Sequence, residues 1–443
     1  MKHLLFILFI INFCLLSSQV DTKFSLLDAK EYALKHHMNV INSDLEYSKA
    51  IQKKKEYLSA GMPEAFINAG YTQFVNLPVQ VIDASFFNPL AQQGEVIAFR
   101  AGTEFNSSAS LRVNQLLFDG SYFVGVEASR LLVDLQSIQQ LRTREEVLFS
   151  VIEAYHIATI AEENKSFADS ILHITQQLEE KQKGMLDLGL MSGEEFDQIH
   201  YAVLKTENLT TNATLQYENA LALLKYSMNY DQDSTIELST SLDELQINSM
   251  IPSIGSISDN SMLKLLENQI RLSACDVKNN KAGFLPSLSA FFQQGYNAYR
   301  TSFDFFQDKP WYSQTSWGIQ MTVPVFSSGK GRATLKQAEI QYMQAENNLK
   351  NTENGLRLQE IQIKNALTSA FKQNELQEEN VTLAERIYKN SIFKQEIGGE
   401  SNVSVTQKLN QLIMAQAEYT STLIEVFRSK IELDKLYNKL TLK

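Results

Sequence analysis

The chain has 443 residues, 44% apolar and 21% charged, values ordinary for folded protein and compatible with two or three domains. Its net charge of -11 and pI near 5.2 argue against a nucleic-acid partner, because neutralising phosphates needs a basic face and none is evident. Residues 1–18 read as a secretory signal: Lys2 and His3 form a polar start, Leu4 to Leu16 an apolar run, and Ser17-Ser18-Gln19 a small-residue exit. That run is shorter than the roughly 20 residues of a spanning helix, and no later charge-free stretch reaches that length. Any membrane contact is therefore expected from strands. Cys14 lies inside the signal behind Asn12-Phe13, not behind the small residues that precede a lipidated cysteine. Cys275 is the only cysteine of the mature chain, which leaves no disulfide framework.

A first repeat is predicted over 19–230. A helical run from about Ser25 to Ala60 ends before Pro63, and a strand follows at about 65–75, in which Ile67, Ala69 and Tyr71 oppose Asn68, Gly70 and Thr72. A connection carrying Phe86-Phe87 leads to a strand at about 107–118, where Ala109, Leu111 and Val113 oppose Ser110, Arg112 and Asn114. Leu116 to Ser121 closes that strand and opens a helix reaching about Leu188, on the order of 100 Å at 1.5 Å per residue. Leu131, Leu135 and Ile138, then Leu141, Leu148, Ile152 and Tyr155, keep coiled-coil spacing with one phase slip. A glycine-containing tip at 187–193 turns the chain, and Ser192 is placed to cap the returning helix.

A polar stretch at 231–258 joins the second repeat, predicted over 259–443. Its helical run spans about Asp259 to Ala282, and its strands lie at about 287–296 and 316–326. Leu288, Ala290, Phe292 and Tyr296 oppose Ser289, Gln293 and Gly295, with Phe291 an exception on the polar side. Trp317, Ile319, Met321 and Val323 oppose Gly318, Gln320 and Thr322, and the connection between the strands carries Phe303, Phe305, Phe306, Trp311 and Tyr312. Pro324 to Gly329 opens a second long helix in which Ala338, Tyr342, Ala345, Leu349, Thr352 and Leu356 follow a 4-3-4-3-4 spacing. After a tip at 397–402, Leu412, Tyr419, Leu423, Val426, Leu433 and Tyr437 hold a heptad register. All seven prolines fall outside the two helical intervals, as expected from a cost of about 3 kcal/mol for proline in a helix interior.

The repeats are offset by about 208 residues. Gly189-Leu190-Met191-Ser192 matches Gly398-Gly399-Glu400-Ser401, and Leu224 to Asn229 matches Leu433 to Asn438. Four strands of about ten residues suit a tilted crossing of a bilayer, and long aromatic connections suit its interfaces. The ordinary alternative is a soluble antiparallel sheet with one face on a core. Four strands cannot close a barrel, and an open edge in lipid leaves backbone groups unsatisfied, so the barrel must be shared between chains. The expected fold class is an α+β membrane protein: long antiparallel coiled-coil hairpins plus four transmembrane strands per chain, forming a 12-stranded β-barrel in a homotrimer. Its lipid-facing residues are Ile67, Tyr71, Leu111, Val113, Leu288, Phe292, Trp317, Ile319, Met321 and Val323.

This order of signal, helix, two strands, long helix, tip and returning helix, given twice, resembles the TolC family of outer-membrane efflux proteins over nearly the whole mature chain. The motifs that carry the resemblance are the turns at Phe118-Asp119-Gly120 and Phe326-Ser327-Ser328-Gly329, the strand entries at Pro63 and Leu285-Pro286-Ser287, and the tips at Gly189 and Gly398. The resemblance implies a non-enzymatic homotrimer in the outer membrane of a Gram-negative bacterium, with twelve helices forming a periplasmic tunnel and no cofactor. It also implies service as the exit duct of a tripartite efflux or type I secretion system. The partners would be outer-membrane lipid, a periplasmic adaptor protein and an inner-membrane pump of RND, ABC or MFS type. The adaptor would meet the tips at Gly189, Leu190, Ser192, Gly398, Gly399 and Ser401, although glycines there also suit a plain helix end. One branch of the family holds the tunnel closed with carboxylates just after the second tip. Ser404 and Gln407 stand at those positions here, so Glu194, Glu195, Asp197 and Glu400 are the alternative sources of negative charge at the constriction.

Ser327-Ser-Gly-Lys-Gly-Arg332 lacks the spacing of a phosphate loop and reads as a strand-to-helix turn. His36, His37, His156, His173 and His200 are scattered without a metal-ligand cluster. Asn106, Asn208 and Asn380 open glycosylation sequons of the kind polar sequences generate by chance. No nucleophile, base and orienter come together. The competing reading is a secreted coiled-coil structural protein or adhesin with soluble strands.

Overall fold

The structure, a computed structural model, describes residues 23–440 apart from 88, 89, 91, 93 and 251; the expected signal at 1–18 lies outside the described residues. In chain order the elements are β1 (Lys23–Phe24), α1 (Leu26–His36), α2 (Met38–Ser59), β2 (Glu64–Gln73), β3 (Val79–Asp83), β4 (Val96–Arg100), β5 (Phe105–Phe118), α3 (Gly120–Asp187) and α4 (Gly193–Met228). They continue with β6 (Glu237–Leu238), α5 (Leu242–Met250), α6 (Ser261–Ala282), β7 (Ser287–Arg300), β8 (Tyr312–Thr322), α7 (Lys330–Glu396) and α8 (Asn402–Leu436).

Some boundaries differ from those expected. The run from Ser25 to Ala60 is two helices, because His37 is extended at φ -70 and ψ 127, and its ring accepts a hydrogen bond from the Asn39 N–H at 3.1 Å. Ser25 starts α1 with a capping box to Asp28, which holds that carboxyl below the usual carboxylate range. The aromatic connection after β2 contains a further hairpin, β3 with β4, whose five residues per strand give too short an alternation to stand out. Strand β8 ends at Thr322, ahead of Pro324, so Val323 lies one residue beyond it.

The chain divides into two compact units, and each draws on both halves of the sequence. The first comprises the described residues up to Tyr47, Gln136–Glu267 and those from Asn347 onward. Its largest core joins α1, α3, α4, α5 and α8 through Ala33, Val151, Tyr155, Leu224, Met228, Leu245, Leu423 and Phe427. Tyr155 is fully buried, and its hydroxyl donates to the Phe24 carbonyl at 2.9 Å and accepts from the Thr240 N–H at 3.1 Å. That places the ladder of β1 with β6, pairing Lys23 with Glu237, on the helical core. A second core packs Ile171, Leu178, Ile199, Tyr388, Val405, Leu409 and Leu412 from α3, α4, α7 and α8.

The second unit comprises Ser48–Leu135 and Asn268–Glu346. It holds a four-stranded antiparallel sheet in the order β2-β5-β7-β8, so the two predicted strand pairs meet along β5 and β7. Its outer strands β2 and β8 each have one unpaired edge. At the foot of β5 the Asp119 side chain accepts from the N–H groups of Ser121 and Tyr122, at 2.7 and 3.1 Å, and so starts α3.

His156 in the first unit offers a test of the core. Its ring is buried against Phe427, with centroids 4.3 Å apart, and contacts the Ile152 carbonyl at 2.6 Å; the Glu153–Arg428 ion pair lies alongside. Burial lowers its pKa from 6.5 to about 4. The unfolded imidazole takes up a proton below about pH 6.5 and the folded one only near pH 4, so stability falls as pH drops through that window, by on the order of 3 kcal/mol per chain. Urea unfolding of the His156→Phe variant at pH 7 and pH 4 should show a correspondingly smaller loss than the parent.

Candidate functional site

The sheet separates two chemistries by register alone. Ile67 pairs with Leu111, Val113 with Phe292, Phe292 with Trp317, Ala290 with Ile319 and Leu288 with Met321. Nine of the ten residues expected to face lipid therefore share one side of the sheet, and Val323 follows just past its end. They cover no core of their own: Ile67 is 80% and Trp317 76% exposed. The other side carries Asn68, Ser110, Gly295 and Gln314 in one row and Gly70, Ser108, Asn297 and Tyr312 in the next. The exceptional Phe291 lies on this polar side because Gly318 opposite it has no side chain. A Cβ there would stand 3.0 Å from the ring, and the Arg112 guanidinium sits 5.9 Å from its centroid.

In the first unit the two hairpin tips close in the same way. At the first, the Gly189 N–H donates to the Leu186 carbonyl and the Leu190 N–H to Met185, both at 2.9 Å; at the second, Gly398 donates to Gln395 at 3.0 Å and Gly399 to Lys394 at 2.8 Å. Gly189 and Gly398 take φ values of +72 and +75, left-handed backbone that favours glycine. Ser192 and Ser401 cap the returning helices. Leu190 projects with 71% exposure at the position that Gly399 leaves bare.

The candidate constriction residues divide. Glu195 completes a capping box with Ser192, whose N–H donates to its carboxylate at 3.0 Å, and this bond holds the Glu195 pKa low. Glu400 folds back onto Lys408, with the Ser404 hydroxyl donating to the same carboxylate; the Lys408 contact and then Ser404 bring its pKa down to about 2. Glu194, Asp197 and Gln407 instead line an open groove of about 370 Å³ between the starts of α4 and α8, with Gln198, Tyr201, Val403 and Thr406.

Sequence reasoning missed the contact that joins the two hairpins behind the tips. Gln182 and Asn402, both buried, exchange two amide hydrogen bonds at 3.0 and 2.7 Å, and Asn402 also donates to the Glu195 carbonyl at 3.0 Å. Beside them Lys181 pairs with Glu396 at 2.5 Å. Among the described residues no group of His, Cys, Asp and Glu could hold a metal ion, and no helix is long and apolar enough to cross a membrane.

Residues 258–439 match the outer membrane efflux protein family. The fold is similar to three solved structures. CusC, studied for its folding and transmembrane channel formation, has a TM-score of 0.74 at 15% identity over 93% of this chain and 91% of its own. The outer membrane protein VceC of Vibrio cholerae has 0.70 at 14% over 93% and 96%, and the Campylobacter jejuni CmeC outer membrane channel 0.71 at 17% over 94% and 85%. No curated protein matches the sequence. The protein thus has the fold of outer-membrane channels, long helices with a small set of strands.

Replacing Asn402 by Leu strands the Gln182 amide in the interior and should cost about 1–3 kcal/mol. The Gln182→Leu, Asn402→Leu double variant should recover most of that loss. Urea denaturation followed by circular dichroism measures both.

Proposed function

We propose that this chain is one third of a passive duct through the outer membrane of a Gram-negative bacterium, the exit of a tripartite efflux or type I secretion system. One observation carries the reading: a sheet with an exposed apolar face, a polar face and two unpaired edges, in a chain whose residues 258–439 match outer membrane efflux proteins. In lipid, free backbone groups on β2 and β8 are costly, and pairing β8 of one copy with β2 of the next removes them. Three copies close twelve strands, with the apolar side to lipid and the polar side to a water-filled lumen. The halves 19–230 and 259–443, joined through 231–258, act as tandem copies, each giving two strands and one helical hairpin.

The hairpins form the periplasmic tunnel. Gly189, Leu190, Ser192, Gly398, Gly399 and Ser401 meet an adaptor protein that links the duct to an inner-membrane pump of RND, ABC or MFS type, which supplies the energy. Glu194, Asp197 and Gln407 are the side chains free to line a constriction, since Glu195, Glu400 and Ser404 are engaged within their own tips.

Membrane fractionation tests the reading. The chain should remain in the outer-membrane fraction until detergent is added, run as a trimer that boiling dissociates, and conduct ions in planar bilayers. Release without detergent would instead mark a secreted coiled-coil structural protein or adhesin. For the tips, Leu190→Trp or Ser401→Trp should abolish export while heat-labile trimers persist, and normal export from both variants would refute the adaptor contact.

A further inference from the structure

We infer that the connection between β7 and β8 is a lipid-binding collar, folded against the apolar side of the sheet and seated in the outer end of the bilayer. The inference rests on reading that side as lipid-facing. Register fixes where the loop lies. Tyr71 shares its side with Ile67, and Phe105, which pairs with Gln73 and Arg300, shares it with Leu111. The Phe303 ring meets Tyr71 at 5.8 Å and Phe105 at 6.3 Å, and Phe305 meets Tyr71 at 5.8 Å, all edge to face. The loop therefore crosses β5 and reaches the edge strand β2 on the apolar side, leaving the polar side uncovered by these rings.

A buried polar staple holds it there. The Arg300 guanidinium donates to the Tyr299 and Pro310 carbonyls, each at 3.0 Å, so it ties the two ends of the loop together. It also pairs with Asp304 at 3.3 Å, and both side chains are almost fully buried. Asp304 in turn pairs with Lys309 and accepts from the Ser302 hydroxyl at 3.0 Å. Asp304 Oδ2 thus fixes the turn that runs from Ser302 to Lys309, and Phe306 within that turn is left 94% exposed.

Lipid is the occupant that fits. The exposed rings continue the apolar surface of Ile67, Trp317, Ile319 and Met321, and they sit at the end of the strands, where aromatic residues favour the boundary between acyl chains and headgroups. In water a ring as exposed as Phe306 stays hydrated, whereas acyl chains would remove its apolar surface from water.

The test uses the trimer in phosphatidylcholine vesicles with or without brominated acyl chains. Trp311 and Trp317 are the only tryptophans. A Trp311→Phe variant reports Trp317 on the sheet, and Phe306→Trp, combined with Trp311→Phe and Trp317→Phe, reports the loop. Both should be quenched by bromine, the loop more by labels near the headgroup than by deep ones. Adding Asp304→Asn to the loop reporter should cut its lipid quenching by roughly half and raise quenching by aqueous acrylamide. Quenching of Trp317 by lipid, with the loop reporter answering only to acrylamide or shielded from both agents, would overturn the collar alone. No lipid quenching of Trp317 would overturn the lipid-facing reading and the collar with it.

Discussion

The constraint on which the rest depends is that the sheet keeps its apolar residues on a face left largely exposed, with only the loop after β7 lying over one end of it. A soluble sheet of this size would close that face with a helix or a second sheet. Here the long helices spend their apolar stripes on one another, in cores built from α3, α4, α7 and α8. The sheet is left to find its solvent elsewhere. In the proposed setting lipid would satisfy the face but not the free edges of β2 and β8, so that one surface would ask for both a membrane and a multichain barrel.

Much of this was legible in the sequence, because the deciding signals are local and periodic. Alternation placed Trp317, Ile319 and Met321 on one side, and pairing along β5 and β7 then carried that side across all four strands. The tips were legible too, since a glycine followed within a few residues by serine is a local instruction to end one helix and cap the next. Phe291 looked like an error in the pattern until the sheet put Gly318 opposite it, a fact that depends on pairing and not on its own neighbours.

What stayed hidden required partners distant in sequence or a competing local bond. Nothing near Asn402 announces Gln182, which lies in the other hairpin. Glu400 reads as a free acid at a tip, and only the packed helix shows Lys408 and Ser404 taking up its charge. The break at His37 lies inside an otherwise continuous helical pattern, because a side-chain acceptor captured the Asn39 N–H there. The fold-back of the loop after β7 rests on Arg300 reaching Pro310, across a turn whose composition speaks only of aromatic residues.

The two open strand edges also have a genetic consequence. In the proposed trimer a chain completes its hydrogen bonding through other copies and cannot fail alone: a variant that still pairs but cannot conduct would enter assemblies with its normal siblings. With random mixing of equal amounts, only about one proposed trimer in eight would be wholly normal. Variants at the tips or in the lumen, which spare β2 and β8, should therefore be dominant, and those that spoil an edge strand recessive.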